Sequence, residues 1–139
     1  METKYSVLMS IYKKEKPEYF VQSLESMVNQ TLMPDEIVIV KDGELTKDLE
    51  EVIVRYIDKY PGLFNIVPLK ENVGLGRALD EGLKHCQNEL VARMDTDDIS
   101  LPNRCELQTN QFNEKPELCI VGTMIDEFYD VPDNIISSR

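Results

Sequence analysis

At 139 residues the chain is long enough for one domain with a sizeable core and short for two. Hydrophobic residues make up 42% and charged residues 29%, the balance of an ordinary globular protein. A net charge of −11 argues against a nucleic-acid binder, which should present a basic face, and against simple adsorption to anionic membranes.

The start, "METKYSVLMSIYKKEK", holds too short an apolar run for a signal peptide or a membrane span. Within it, "YSVLMS" (5–10) has strand length and near-continuous apolarity. "PEYFVQSLESMVNQ" (17–30) follows with apolar residues at helical spacing. "EIVIVK" (36–41) is β-branched and reads as a fully buried strand. Thr46 is placed to cap a helix running to about Tyr60, with Asp48, Glu50 and Glu51 in its first turn. "FNIVPL" (64–69) is a third strand, which Pro68 should end or confine to an edge. "LGRALDEGLKHC" (75–86) reads as a helix and "ELVARM" (89–94) as a fourth strand. Pro102 suits the first turn of a helix through about Asn113, and "LCIVGTMI" (118–125) would be a fifth strand. No repeat, low-complexity tract or Gly/Ser linker divides the chain, so 1–139 is expected to be a single domain. Cys86, Cys105 and Cys119 form no C-x-x-C pair, and their odd count suits a reduced, cytoplasmic compartment.

Strands alternating with helices through short connections imply an α/β fold, a mostly parallel sheet with helices on both faces. In such sheets ligands sit outside the carboxyl ends of the strands. Four segments should share that edge: Ser10 and Tyr12, then Asp42 and Gly43, then "ENVGLGR" (71–77), then "DTDD" (95–98). Together they offer an aromatic face for a base, carboxylates for base N–H and ribose hydroxyls, and Arg77 for phosphate or base oxygens. Asp97 or Asp98 supplies the hard oxygen ligand that Mg²⁺ or Mn²⁺ needs to bridge a diphosphate. Each element also has a plainer reading. D-x-D-D is often an acidic helix cap, Asp42-Gly43 a turn, Tyr12 packing, Arg77 a solvated helix residue, and "KKEK" (13–16) a solvated face. "GLGRALDEG" lacks the third glycine of a dinucleotide fingerprint, Leu79 standing there, so Gly74 and Gly76 are expected to shape a helix entry. His85, the single histidine, lies near a helix C-terminus, and no Ser-His-Asp set exists around it.

"SVLMSIYKKE", "SLESMVNQTLMPDEIVIVKDG", "ENVGLGRALDEGL" and "ARMDTDDISLPNR" resemble, in order, the motifs of family-2 glycosyltransferases with the GT-A fold. The resemblance runs from about residue 4 to residue 128. Its most specific parts are "S-x-x-x-Q-T" before the second strand and "D-x-D-D-x-x-x-P-x-R". It implies a nucleotide-sugar site formed by Ser10, Tyr12, Glu15, Asp42, Asn72, Gly74, Arg77, Asp95 and Asp97. In that site Ser10 and Tyr12 would meet the nucleobase region with Glu15 nearby, and Asp42 would take a base N–H. Arg77 would face base or diphosphate, Asp97 would bond ribose or sugar, and Asp95 would stand behind. Asp98 would ligate Mn²⁺ or Mg²⁺. Two positions depart from the pattern: Lys41 stands where many members carry an acid, and Leu79-Asp80 replaces a common A-R-N run.

The implied reaction is transfer of a sugar from a nucleotide-diphosphate donor, by default UDP-linked, to an acceptor hydroxyl with inversion. The acceptor would be a saccharide, a lipid-linked saccharide or a protein. The general base of this family lies downstream of the metal motif, so it is expected beyond Arg139, and the chain reads as a C-terminally truncated donor-binding half. Apolar surface uncovered by truncation could promote self-association. Action in the cytoplasm, up to the inner membrane face, fits this reading. The alternatives are a fragment that binds nucleotide sugar without turnover, and a sugar nucleotidyltransferase, which would want a glycine-rich loop where "YKKEKPE" stands. A receiver-like domain would place its acidic pair after the first strand instead.

Overall fold

The computed structural model describes residues 4–114, 126–128 and 135–138. Its centre is a four-stranded parallel sheet of β1 (Tyr5–Ile11), β2 (Glu36–Lys41), β3 (Phe64–Pro68) and β4 (Leu90–Arg93), in the order β3-β2-β1-β4. The chain steps outward from β1 to β3 and then returns to the far side of β1. Right-handed crossovers in opposite directions put their helices on opposite faces. Accordingly α1 (Pro17–Val28) and α2 (Lys47–Lys59) cover one face, and α3 (Leu75–Leu83) covers the other.

Period-two alternation distributes the side chains between these layers. Tyr5, Val7, Met9 and Ile11 of β1, with Ile37 and Ile39 of β2, pack with Phe20, Leu24 and Met27 of α1 and Leu49, Ile53 and Tyr56 of α2. Leu8, Val38 and Val40 point the other way, into a smaller cluster with Val67 and Ala78 of α3. Both faces of β1 and β2 are therefore dry, as their unbroken apolar runs require.

Local signals set most element ends. The Thr46 hydroxyl accepts the Leu49 N–H at 3.3 Å and starts α2, with Asp48 and Glu50 in its first turn. Pro68 is the last residue of β3, an edge strand, so both halves of its expected behaviour hold. Several ends fall a residue or two from expectation, α1 for instance closing at Val28 rather than Gln30, and two differences have a visible cause. Helix α3 stops at Leu83 rather than Cys86, because His85 and Cys86 bond the carbonyls of Gly82 and Leu83 in a tightened last turn. Helix α4 (Arg104–Glu114) begins two residues after Pro102, whose carbonyl is taken by the Thr31 N–H at 2.7 Å. The expected fifth strand, 118–125, lies outside the described residues. A short antiparallel pair, β5 (Asp126–Phe128) and β6 (Ile135–Ser138), completes the elements among the described residues. No helix among the described residues is long and apolar enough to cross a membrane.

Helix α3 approaches the sheet closely because it presents a glycine. A Cβ on Gly82 would stand 2.5 Å from both Leu8 Cδ1 and Val40 Cγ2, two side chains that are themselves buried. Alanine at this position gains about 1 kcal/mol of helix propensity. Overpacking costs about 1–3 kcal/mol and outweighs it. Gly82→Ala should therefore lower the urea midpoint with an unchanged m-value; a raised midpoint would show that the interface yields.

Candidate functional site

The parallel register brings the strand ends level. Ladder bonds continue past the strands themselves: Asp42 N–H to Ile11 O (2.8 Å), Leu69 N–H to Lys41 O (2.9 Å) and Met94 N–H to Leu8 O (3.0 Å). The loops after β1, β2, β3 and β4 consequently emerge on one edge. The order of strands reverses at β1, the switch point where α/β sheets open a crevice.

On the β1–β2 side of that edge lies an open cleft of about 470 Å³, lined by Tyr12, Lys13, Lys14, Asp42, Gly43 and Asn72 among others. Tyr12 is 45% exposed, so its ring is available to a ligand. Asp42 is buried, and its Oδ1 accepts the Val73 N–H at 2.7 Å, while its carbonyl accepts from Asn72 Nδ2 at 3.3 Å. This carboxylate thus pins the loop entering α3 against the end of β2. Gly43 permits the contact: its φ is +89°, and a Cβ there would stand 2.8 Å from the Asn72 backbone nitrogen.

Beyond β4 the chain turns sharply, Asp98 N–H bonding Asp95 O at 3.2 Å. The turn gathers Asp95, Asp97 and Asp98, all exposed, with carboxylate oxygens within 4.8 Å of one another. The Asp98 carboxyl is pushed up to about 6, by desolvation first and then by the charges of Asp97 and Asp95, with Arg104 opposing. Among the described residues, compensation by protein cations is thin. Arg93 reaches Asp95 only at 3.8 Å on the surface, and Arg104 spends its guanidinium on Ser100 Oγ (2.9 Å) and Arg93 O (2.9 Å). Three hard oxygen donors, converging and under-neutralised, fit a Mg²⁺- or Mn²⁺-sized divalent cation.

The residues singled out from sequence fall into two groups. Tyr12, Asp42 and Asn72 share the cleft, and Asp95, Asp97 and Asp98 form the acidic turn. Glu15 links the two regions: its Oε2 accepts the Thr96 hydroxyl at 2.6 Å, tying the β1–α1 loop to the turn. Ser10 is half-buried near the end of β1. Gly74 (φ +93°) and Arg77 lie at the exposed start of α3, outside the cleft lining. Lys41, where the family pattern suggested an acid, pairs with Glu50 of α2 at 2.6 Å. Sequence reading missed Lys13 and Lys14 as cleft residues, because a charge run ordinarily marks a solvated face. It also missed Thr96, whose neighbours drew attention to carboxylates rather than to the hydroxyl between them.

Residues 6–139 match the family model of Glycosyl transferase family 2, and the chain belongs to that family. The amylovoran biosynthesis glycosyltransferase AmsE of Erwinia amylovora is 48% identical over 124 residues, covering 89% of this chain and 46% of that protein. A UDP-Gal:alpha-D-GlcNAc-diphosphoundecaprenol beta-1,3-galactosyltransferase of Escherichia coli is 38% identical, covering 90% of this chain and 45% of that protein. The chain thus spans about half the length of these relatives. Among solved structures, S. aureus TarS 1–349 in complex with UDP superposes with a TM-score of 0.69 at 25% identity, covering 81% of this chain and 32% of that one.

Removing the Asp42 carboxylate leaves the Val73 N–H without its acceptor. Asp42→Ala should cost about 1–3 kcal/mol in chemical denaturation. Asp42→Asn keeps an acceptor oxygen and should retain most of that stability. Equal losses in the two variants would mean that the Val73 bond is not the anchor.

Proposed function

We propose that the chain binds the nucleoside-diphosphate sugar donor, a UDP-sugar by preference, of an inverting glycosyltransferase of polysaccharide or glycoconjugate synthesis. The observation that carries this reading is the convergence of Asp95, Asp97 and Asp98 at the switch point, joined through Glu15 and Thr96 to the cleft of Tyr12 and Asp42. Tyr12, with Ser10 beside it, receives the base, and Asp42 accepts a base N–H with its carboxylate already held in place. Lys13, Lys14 and Arg77 supply positive charge for the diphosphate that an acidic protein otherwise lacks. Asn72 lines the cleft, and Gly74 shapes the entry to α3 beyond it. Asp97 accepts from the ribose or sugar, and Asp98 holds the cation with Asp95 behind it. A bound Mn²⁺ or Mg²⁺ supplies neutralisation of the charge that develops on the leaving diphosphate.

The general base that deprotonates the acceptor is assigned to the part of the relatives' length that this chain does not span. In this reading residues 1–139 are one donor-binding domain, and the remainder completes the acceptor pocket. A lipid-linked saccharide is the first acceptor to try, given the name of the Escherichia coli relative, with action at the cytoplasmic membrane face. A second reading, binding without turnover by this chain alone, is favoured by the half-length match.

Calorimetric titration of UDP with and without Mn²⁺, beside Asp98→Ala, tests the proposal. Binding should need the metal and be lost in the variant. Binding indifferent to both would return the aspartates to a structural role. No binding of UDP, with GDP and dTDP equally silent, would overturn the nucleotide reading. Transfer to an added acceptor by this chain alone would rule out the binding-only reading.

A further inference from the structure

Helix α1 carries a polar stripe where a helix packed on a sheet ordinarily carries apolar residues. Ser23 and Ser26 lie three positions apart, and Gln30 follows four further on, past the helix end, so the three can face one neighbour. Ser23 and Gln30 are buried. Beyond the bonds to α1 itself, from Ser26 to Ser23 O and from Gln30 to Ser26 O, their partners all lie in one segment. Ser23 Oγ donates to Asp95 O at 3.0 Å. Ser26 Oγ accepts the Ser100 N–H at 3.1 Å while donating to Ser23 O at 2.7 Å. Gln30 Nε2 donates to Leu101 O at 2.8 Å, and its Oε1 accepts the Cys105 N–H at 2.9 Å. From the other side, Glu15 takes the Thr96 hydroxyl.

The segment from Asp95 to Cys105 is therefore suspended by its backbone and by one hydroxyl, and none of these tethers uses the carboxylates of Asp95, Asp97 or Asp98. That division has a physical consequence. Three like charges within 4.8 Å push one another apart, and an untethered loop would relax by splaying them. Tethers that spend none of these three carboxylates, yet fix the Cα positions beneath them, keep the charges converged in the absence of any ion. Such supporting bonds pre-orient ligands.

We propose that Ser23, Ser26, Gln30 and Glu15 are positioning residues that hold the aspartate turn in the shape a divalent cation requires. The inference rests on the donor-binding reading above and adds to it the group of residues on which cation affinity depends. It also explains "S-x-x-x-Q-T" as a unit: Ser26, Gln30 and Thr31 each bond the segment between Ser100 and Cys105.

The test uses Mn²⁺ alone as probe, its affinity read by electron paramagnetic resonance. Amide hydrogen exchange of residues 95–105 without metal and thermal denaturation accompany it. Ser26→Ala and Thr96→Val should each weaken Mn²⁺ binding roughly tenfold and speed exchange across the turn, with the melting transition still cooperative. Thr96→Ser, which keeps the hydroxyl, should restore the wild-type affinity. Faster exchange with unchanged Mn²⁺ affinity would overturn the inference, since the tethers would then serve folding alone. If Ser26→Ala does not fold, the Thr96→Val and Thr96→Ser pair decides, and equal affinities for those two overturn it. A wild-type chain that binds no Mn²⁺ would remove the cation reading itself, a result distinct from the failure of the tethers.

Discussion

Strand β1 is the constraint on which the rest depends. It is the one strand whose two neighbours bring both halves of the site, and its parallel register with β2 and β4 fixes where each following loop begins. A slip of two residues between β1 and β4 would keep side chains on their proper faces. It would still move the aspartate turn by about 6–7 Å along the strand. That would break the 2.6 Å bond between Thr96 of the turn and Glu15 of the loop after β1. A slip of one residue would be worse, driving the alternating apolar set onto the wrong helices. Site geometry is in this sense a by-product of core packing: Val7, Met9 and Ile11 against α1 and α2, and Leu8 against α3, leave one register in which both clusters close.

On that frame the electrostatics run against folding and toward binding. A chain with a net charge of −11 concentrates three carboxylates in a single turn, where Arg104 is engaged elsewhere and Arg93 reaches only Asp95, at 3.8 Å on the surface. Desolvation first, and then the charges of Asp97 and Asp95, raise the Asp98 carboxyl within that turn. Stability is recovered nearby through bonds that bring in no positive charge, from Ser23, Ser26, Gln30 and the Glu15–Thr96 pair. Tethers that include no cation leave the negative potential intact, which is the property a cation site needs.

The four strands and the first three helices were legible in the sequence because each obeys a local rule. Continuous apolar runs marked buried strands, Thr46 marked the start of α2, and Pro68 the end of an edge strand. Where expectation and structure part, a long-range bond intervenes. Pro102 does not open α4, because Thr31 takes its carbonyl from across the fold. Lys41, which departs from the family pattern, is held instead by Glu50 of α2. Lys13 and Lys14 looked like a solvated run, and only the curvature of the loop after β1 brings them to the cleft wall.

The sequence by itself determined the class of fold, the family through its ordered motifs, and the residue types present at each strand end. All of these follow from patterns with a fixed short period or spacing. Tertiary structure alone decided which of those residues meet. Tyr12 and Asp42 share a cleft, Glu15 reaches Thr96 across 81 positions of sequence, and Gln30 reaches Cys105 across 75. No local periodicity encodes such contacts. They arise when the sheet selects one register and packs α1 across β1, bringing distant polar groups to bonding distance.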